Sequence, residues 1–333
     1  MINVSIIGAT GYAGHELVKI MLKNKNVKLA ALASSSAAGT RYSDHYPSLK
    51  GLCDKELEAI DTEKIAKVSD AVFMCLPHGT GIELAAAFIR KGVRIFDLSA
   101  DFRLKDPALY EKTYGIRHEH PILLERAVYG LAEVNKNTLE RASFVAVPGC
   151  YPTSALIPLI PLIREKLIDT STIIIDSKSG VSGAGKKPSA KTHYCGVNEN
   201  FSAYGIFSHR HRPEIEHIIE LSAGQKTNII FTPHLAPFNR GMLSTIYVKS
   251  QASEERLYAA WENFYKEGAV RIRRDAPDVQ SVARTPFIDI ALFQKGDDVI
   301  IVSALDNLLK GASSQAAQCF NLSYGFNSLE ALI

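Results

Sequence analysis

The chain of 333 residues has little of what several specialised classes of protein need. Its five cysteines, at 53, 75, 150, 195 and 319, are odd in number, scattered, and nowhere spaced as a metal-binding or redox pair. That argues against a disulfide framework and against a metal site, and fits a reducing cytoplasm. Charge of one sign is also missing. There are 38 basic and 35 acidic residues along the length, a formal net charge of +3. With no basic stripe to follow a phosphate backbone, nucleic acid is not an expected partner. No run approaches the ~20 apolar residues of a membrane helix. The opening Met1-Ile2-Asn3-Val4 lacks the basic region and apolar core of an export signal. A cytoplasmic protein without membrane attachment is expected. No repeat and no low-complexity linker interrupts the chain, and 46% hydrophobic content suffices for two domains with real cores.

In the first third, short β-branched runs at 4–7, 27–33, 71–75 and 94–97 alternate with helical patterns at 12–22 and 81–91. Such alternation predicts α/β structure, a parallel sheet with crossover helices. A further strand at 144–147 ends at Pro148-Gly149, a turn that marks the exit from this first domain. Strands then follow at 173–176, 228–231, 242–250, 287–293 and 299–304, with helices chiefly at 213–223 and 254–265. This predicts an α+β domain with a mixed or antiparallel sheet. A last helical pattern at 308–321 is free to return to the first domain.

Directly after the first strand stands Gly8-Ala9-Thr10-Gly11-Tyr12-Ala13-Gly14, opening the first helix. Glycines there allow positive φ and let backbone N–H groups approach a pyrophosphate at the positive helix end. The spacing departs from G-x-G-x-x-G, but strand, turn and helix are in the order a dinucleotide site requires. At the end of the second strand, where an NAD-binding protein tends to carry an acid, the chain has Ser34-Ser35-Ser36 and then Arg41. Hydroxyls and an arginine suit a 2′-phosphate, so NADP(H) is expected rather than NAD.

Val147-Pro148-Gly149-Cys150 puts a cysteine after a strand and a tight turn, at the start of a helix. A thiol at such a position loses its proton more readily and becomes a nucleophile. Pro158 and Pro161 are expected to break or kink that helix within two turns. Cys53, Cys75 and Cys319 read as inert core residues. The segment Ser208-His209-Arg210-His211-Arg212-Pro213 offers two histidines ahead of a helix. Either serves as a proton carrier, with a pH limb near neutrality. The run from Ser177 through Ser179, Gly180 and Gly183 to Lys187 follows a buried strand, and either lines an anionic ligand or is a linker. Arg103 and Arg240, at the ends of apolar runs, are candidate anion contacts.

With these segments assembled, the chain resembles the N-acetyl-γ-glutamyl-phosphate reductases of arginine biosynthesis, within the semialdehyde dehydrogenase superfamily. GATGYAGHEL (8–17), SADFRL (99–104), VPGCYPTSA (147–155), SGVSGAGK (179–186), HRHRPEIEH (209–217), FTPHLAPFNRGMLSTIYV (231–248) and DNLLKGAS (306–313) carry the likeness in order. The resemblance implies a Rossmann NADP-binding domain over 1–149 and 308–333, and an α+β catalytic and dimerisation domain of the semialdehyde dehydrogenase type over 150–307. It implies attack of Cys150 on a γ-acyl phosphate, loss of phosphate, and reduction of the thioester by NADPH through a thiohemiacetal to the semialdehyde. His209 is favoured as the base, with His211 as substrate contact or substitute. Gly8, Thr10, Gly11, Tyr12, Ala13, Ser34, Ser36, Arg41, His78, Ser179, Gly180, Gly183 and Asn307 become cofactor contacts. Arg103 becomes the phosphate anchor and Arg240 a second substrate contact. A homo-oligomer, dimer or tetramer, acting on a small acyl phosphate is implied.

Two departures stand out. Arg284-Thr285-Pro286 replaces an expected Gly-Thr-Asn in a loop expected near the substrate tail, and Ser313-Ser314 with Cys319 replaces Ala-Gly and Asn. Succinyl, carrier-bound and aspartyl acyl groups are the alternative substrates. A Cys/His hydrolase would need neither the glycine turn nor Asn307, and a dinucleotide sensor would leave Cys150 without a role.

Overall fold

The computed structural model describes every residue from Met1 to Ile333. The chain divides into two compact units, Met1–Pro148 with Ala312–Ile333, and Gly149–Gly311.

In the first unit β1 (Ile2–Ile7), α1 (Tyr12–Lys23), β2 (Val27–Ala33), β3 (Ala71–Met74), α2 (Ile82–Arg90), β4 (Arg94–Asp97), β5 (Val128–Tyr129) and β6 (Phe144–Ala146) alternate. The six strands lie in the order β2-β1-β3-β4-β6-β5. Every pairing is parallel. Parallel sheets are covered on both faces, which is why β3 and β6 are buried throughout. From β1 the chain goes first to one side and then to the other. The carboxyl end of β1 is therefore the topological switch point, where α/β sheets bind ligands.

The second unit contains α3 (Cys150–Arg164), β7 (Asp169–Gly180), β8 (Ser202–Ala203), α4 (His211–Ala223), β9 (Ile229–Ala236), β10 (Met242–Lys249), α5 (Glu254–Phe264), β11 (Val270–Ile272), β12 (Ile288–Lys295) and β13 (Asp298–Leu305). Its sheet is mixed, in the order β11-β12-β13-β10-β7-β9-β8. β7 with β9 and β11 with β12 are parallel. The other four pairs are antiparallel.

The expected break in α3 does not occur, for the helix runs through both prolines. A proline at 158 cannot donate to the Ser154 carbonyl, nor one at 161 to that of Ile157. Both orphaned acceptors find other donors. Ser303 Oγ donates to Ser154 O at 2.7 Å, and Tyr265 Oη to Ile157 O at 2.6 Å. Trp261 Nε1 adds a bond to Pro158 O at 2.8 Å. The residues from Tyr151 to Ile163 are all buried, so packing holds the helix where propensity would not.

The last helix also differs from expectation. It opens with one wide turn, Leu309–Ser313, in which Gly311 N reaches back five residues to Asp306 O at 2.9 Å, before α6 (Ser314–Ser323) begins. α6 belongs to the first unit. Phe320 packs 5.7 Å from both Phe73 and Phe96, and Ser313 Oγ donates to Ala13 O. Cys319 is buried, as expected, and its thiol donates to Gly130 O at 3.2 Å.

Candidate active site

Gly149 caps α3, and Cys150 is the helix's first residue, partly exposed and with no acidic residue in the first turn. Gly311 is what lets the wide turn lie against it. A Cβ at 311 would come within 2.7 Å of Cys150 Cβ. Beneath the cysteine, the fully buried Glu214 of α4 accepts from Gly149 N at 3.2 Å and ties the two helix starts together.

Cys150 opens into a cleft of about 780 Å³ whose walls include Tyr151, Ser179, Gly180, Gly183, Tyr204, His209, Arg210 and His211. His209 is packed among rings: Tyr204 and Phe231 at 5.5 Å, Tyr151 at 5.6 Å and His211 at 4.8 Å. Its Nδ1 accepts from His211 N at 3.2 Å, which leaves the proton of the neutral ring on Nε2. Burial first, and the adjacent Arg210 second, bring its pKa down to about 4. A ring enclosed by aromatic groups and a guanidinium resists a second charge, a setting that favours the neutral form over a proton carrier with a limb near neutrality. His211 is the first residue of α4 rather than part of an irregular approach to Pro213, and it is buried. Tyr151 Oη lies 3.1 Å from Tyr204 Oη and donates to His234 O.

The remaining candidates of the second unit gather around the turn after β7. Asn307 accepts from Gly241 N at 2.7 Å and donates to Ser182 Oγ at 3.0 Å, fixing the turn that carries Gly183. Gly180 is required there, because a Cβ would stand 2.6 Å from Asn239 O. The run after β7 is therefore a built wall and not a linker. Arg240 donates two bonds to the buried carboxylate of Asp306, each of 3.0 Å, so its fork already holds a partner. The 284–286 loop, expected near the substrate tail, is outside the cleft lining. Arg284 has φ 64° and donates its N–H to Asp306 Oδ2. The glycine expected at 284 thus answers a backbone need.

In the first unit, Gly8 has φ 78°, and a Cβ on it would stand 2.2 Å from Cys75 O. One on Gly14 would stand 2.3 Å from Gly8 O. The turn is this close only because both are glycine, and its N–H groups open the first turn of α1, which holds no acid. Thr10 Oγ1 lies 3.2 Å from Ser34 Oγ, which also accepts from Ser36 N at 3.4 Å. Tyr46 Oη donates to Thr10 O at 2.8 Å and stacks on His15. These groups fit a dinucleotide: a close-approach turn at the switch point and a hydroxyl pair at the end of β2. Tyr12 and Arg41 are exposed beside the turn and at the 42–45 helix start. His78 follows β3 in a loop held by Asp101, whose carboxylate accepts from Gly79 N and Gly81 N. Arg103 is buried, donates to Leu98 O at 3.0 Å and stands near Asp97. Burial, then the charge of Asp101, push Asp97 up to about 7, with Ser99 and Arg103 opposing.

Sequence reasoning misses Tyr151, Tyr204, Arg210 and Glu214. The first adjoins the nucleophile, and two lie within the histidine block, so position was the available signal.

A parallel six-stranded sheet closed by the C-terminal helix, joined to a mixed seven-stranded sheet whose first helix begins with the cysteine, defines a two-domain semialdehyde dehydrogenase. Family models agree: the semialdehyde dehydrogenase NAD binding domain matches residues 3–142 and the dimerisation domain residues 150–307. A solved aspartate semialdehyde dehydrogenase II from Vibrio cholerae, complexed with ASA, has TM-score 0.74 and 16% identity, with 98% of each chain covered. That from Candida albicans, solved with NADP, has TM-score 0.70 and 14% identity, covering 98% of this chain and all of that one. These share the fold. Sequence relatives are more particular. The N-acetyl-gamma-glutamyl-phosphate reductase of Halothermothrix orenii is 46% identical over 97% of this chain and 96% of its own. That of Desulforapulum autotrophicum is 43% identical over 100% and 98%. The chain belongs to the N-acetyl-gamma-glutamyl-phosphate reductase family. No helix is long and apolar enough to cross a membrane.

Proposed function

We propose that this chain reduces N-acetyl-γ-glutamyl phosphate to N-acetylglutamate semialdehyde with NADPH, in the cytoplasm, as a step of arginine biosynthesis. The observation that carries the reading is Cys150 as the first residue of α3, opening on a cleft that holds a neutral histidine and cationic side chains. The helix start favours the thiolate. Its Sγ attacks the γ-carbonyl carbon, the carbon–oxygen bond to phosphate breaks, and phosphate leaves with a proton from solvent. A thioester on Cys150 remains. Bound NADPH would supply hydride, held by the turn from Gly8 through Thr10 and Gly11 to Ala13, by Ser34, Ser36 and Arg41, and by His78, Ser179, Gly180, Gly183 and Asn307. His209 Nε2–H donates a hydrogen bond to the acyl oxygen as it gains negative charge, acting as a neutral electrophile and not as a base. The tetrahedral oxyanion then collapses, the C–S bond breaks, and the thiolate is regenerated with the aldehyde.

NADPH over NADH rests on the hydroxyl pair of Thr10 and Ser34 where an acid would select the ribose. The test is phosphate-dependent reduction of NADP against N-acetylglutamate, N-succinylglutamate and aspartate semialdehydes. The N-acetyl compound should have the highest kcat/KM, and Cys150→Ala should show no turnover while binding NADPH within a few-fold. Turnover by that variant, or preference for aspartate semialdehyde, overturns the reading.

A further inference from the structure

The cleft has a second wall that the chemistry above does not use. The segment between the 183 turn and α4 contributes Ser189, Ala190, Lys191, Thr192, Gly196 and Asn200 to the same lining as Cys150. It is a short built loop. Ser189 Oγ and Thr192 Oγ1 lie 2.8 Å apart, and Thr192 N and His193 N each donate to Ser189 O at 3.1 Å. Asn200 Nδ2 donates to Gly196 O at 2.9 Å. Gly196 itself is obligatory, since a Cβ would stand 2.5 Å from Ala190 O. The loop presents Lys191 to the cleft with no ion pair or hydrogen bond of its own.

The lining as a whole carries two permanent cations, Lys191 and Arg210, and no aspartate or glutamate. Glu199, the segment's one carboxylate, is outside the lining. A cleft so charged selects an anion at each of two places. Arg210 adjoins His209 and so stands at the reacting end. Lys191 comes from a different segment and is left for the other end of the substrate.

We propose that Lys191 is a specificity-determining residue that binds the α-carboxylate of the acyl phosphate and of the semialdehyde, so that the cleft selects acidic substrates. This rests on the reading of the cleft as the reductase site. An ammonium on a flexible stem reaches a carboxylate without needing paired donors, and a charge-assisted bond in a partly enclosed cleft changes affinity measurably.

The experiment runs the reaction toward acyl phosphate with two aldehydes, N-acetylglutamate semialdehyde and 4-acetamidobutanal, which is the same molecule without its carboxylate. Lys191→Ala should raise KM for the first by about ten- to a hundredfold with kcat within about twofold. It should leave kcat/KM for the second unchanged, and Lys191→Arg should keep most of the preference. An unchanged KM for the acidic aldehyde, or an equal loss on both, overturns the proposal. Lys191 is exposed, so its loss spares the fold. If the wild type turns over neither aldehyde, the functional reading fails, and a second measurement still decides this one. N-acetylglutamate should slow alkylation of Cys150 by iodoacetamide, followed by peptide mass, in the wild type and not in Lys191→Ala. Equal protection in both proteins overturns it.

Discussion

His209 shows how a residue's surroundings redefine the role its type suggests. An ordinary histidine titrates near 6.5, which made it a proton carrier from sequence. Here the rings of Tyr151, Tyr204 and Phe231 enclose it, and the pKa falls to about 4. At pH 7 the ring is neutral, with Nδ1 occupied by the His211 N–H. Protonation would place a donor against a donor there. kcat/KM should therefore show no histidine limb between pH 5 and 8 and should fall only as pH drops toward 4. His209→Gln should lower kcat by roughly 10² to 10³, the scale of one lost oxyanion donor, and abolish that acid limb. The sign for stability follows from the same shift. With a folded pKa of about 4, below the unfolded value near 6.5, the group's contribution is complete above pH 6.5 and is lost as pH falls from there through 4. Urea midpoints at pH 7, 5.5 and 4.5 should drop less steeply in His209→Gln than in the wild type. A wild-type limb at pH 6 to 7 that vanishes in this variant would restore the base.

At the scale of elements, α3 is the helix whose sequence argues against itself. Two interior prolines cost a helix about 3 kcal/mol each in isolation. The chain offsets this with donors from elsewhere: Ser303 on β13 for Ser154 O, and Tyr265 just after α5 for Ile157 O. Tyr265→Phe removes a donor and leaves a buried carbonyl, so it should destabilise the protein by about 1–3 kcal/mol in denaturant unfolding. A change below 0.5 kcal/mol would mean that the carbonyl is satisfied otherwise. What sequence made legible, and what it did not, divides along the same line. The glycine turn at 8–14, most of the strands and the cysteine at a helix start follow from spacing within a few residues, whereas the short strands at 128–129, 202–203 and 270–272 show no such pattern. The survival of α3 depends on partners about 100 to 150 positions away, which no local pattern records. Glu214 looks like an ordinary acid in a first helical turn, and its bond to Gly149, 65 residues earlier, shows only in three dimensions. Lys191 lies in a segment without periodicity, where no rule marks one lysine over its neighbours.

At the scale of the whole molecule, the second unit leaves a face of its mixed sheet open to solvent. The registers align Ile230 with Ile174, Ile174 with Tyr247, Tyr247 with Ile300, and Ile300 with Phe293. One apolar residue on each of five adjacent strands thus forms a single row, each 38–45% exposed. Helices α3, α4 and α5 cover the other face, where Ile175, Ile246 and Ile301 are buried. A broad apolar sheet face is costly to leave wet and marks an association surface. The unit matches a dimerisation domain. A second copy of the same sheet, related by a twofold axis, is the simplest cover, since each row then meets an identical row. Tyr247→Asp puts a carboxylate at the row's centre, and two copies would face each other across the axis, desolvated and of like charge. Sedimentation should give a dimer or larger for the wild type and a shift to monomer for this variant at micromolar concentration. Lys249→Asp, whose side chain is exposed and already paired with Asp298 at the strand's end, should leave the assembly intact. A wild type that sediments as a monomer, or a Tyr247→Asp variant with unchanged mass, would place the contact on another face.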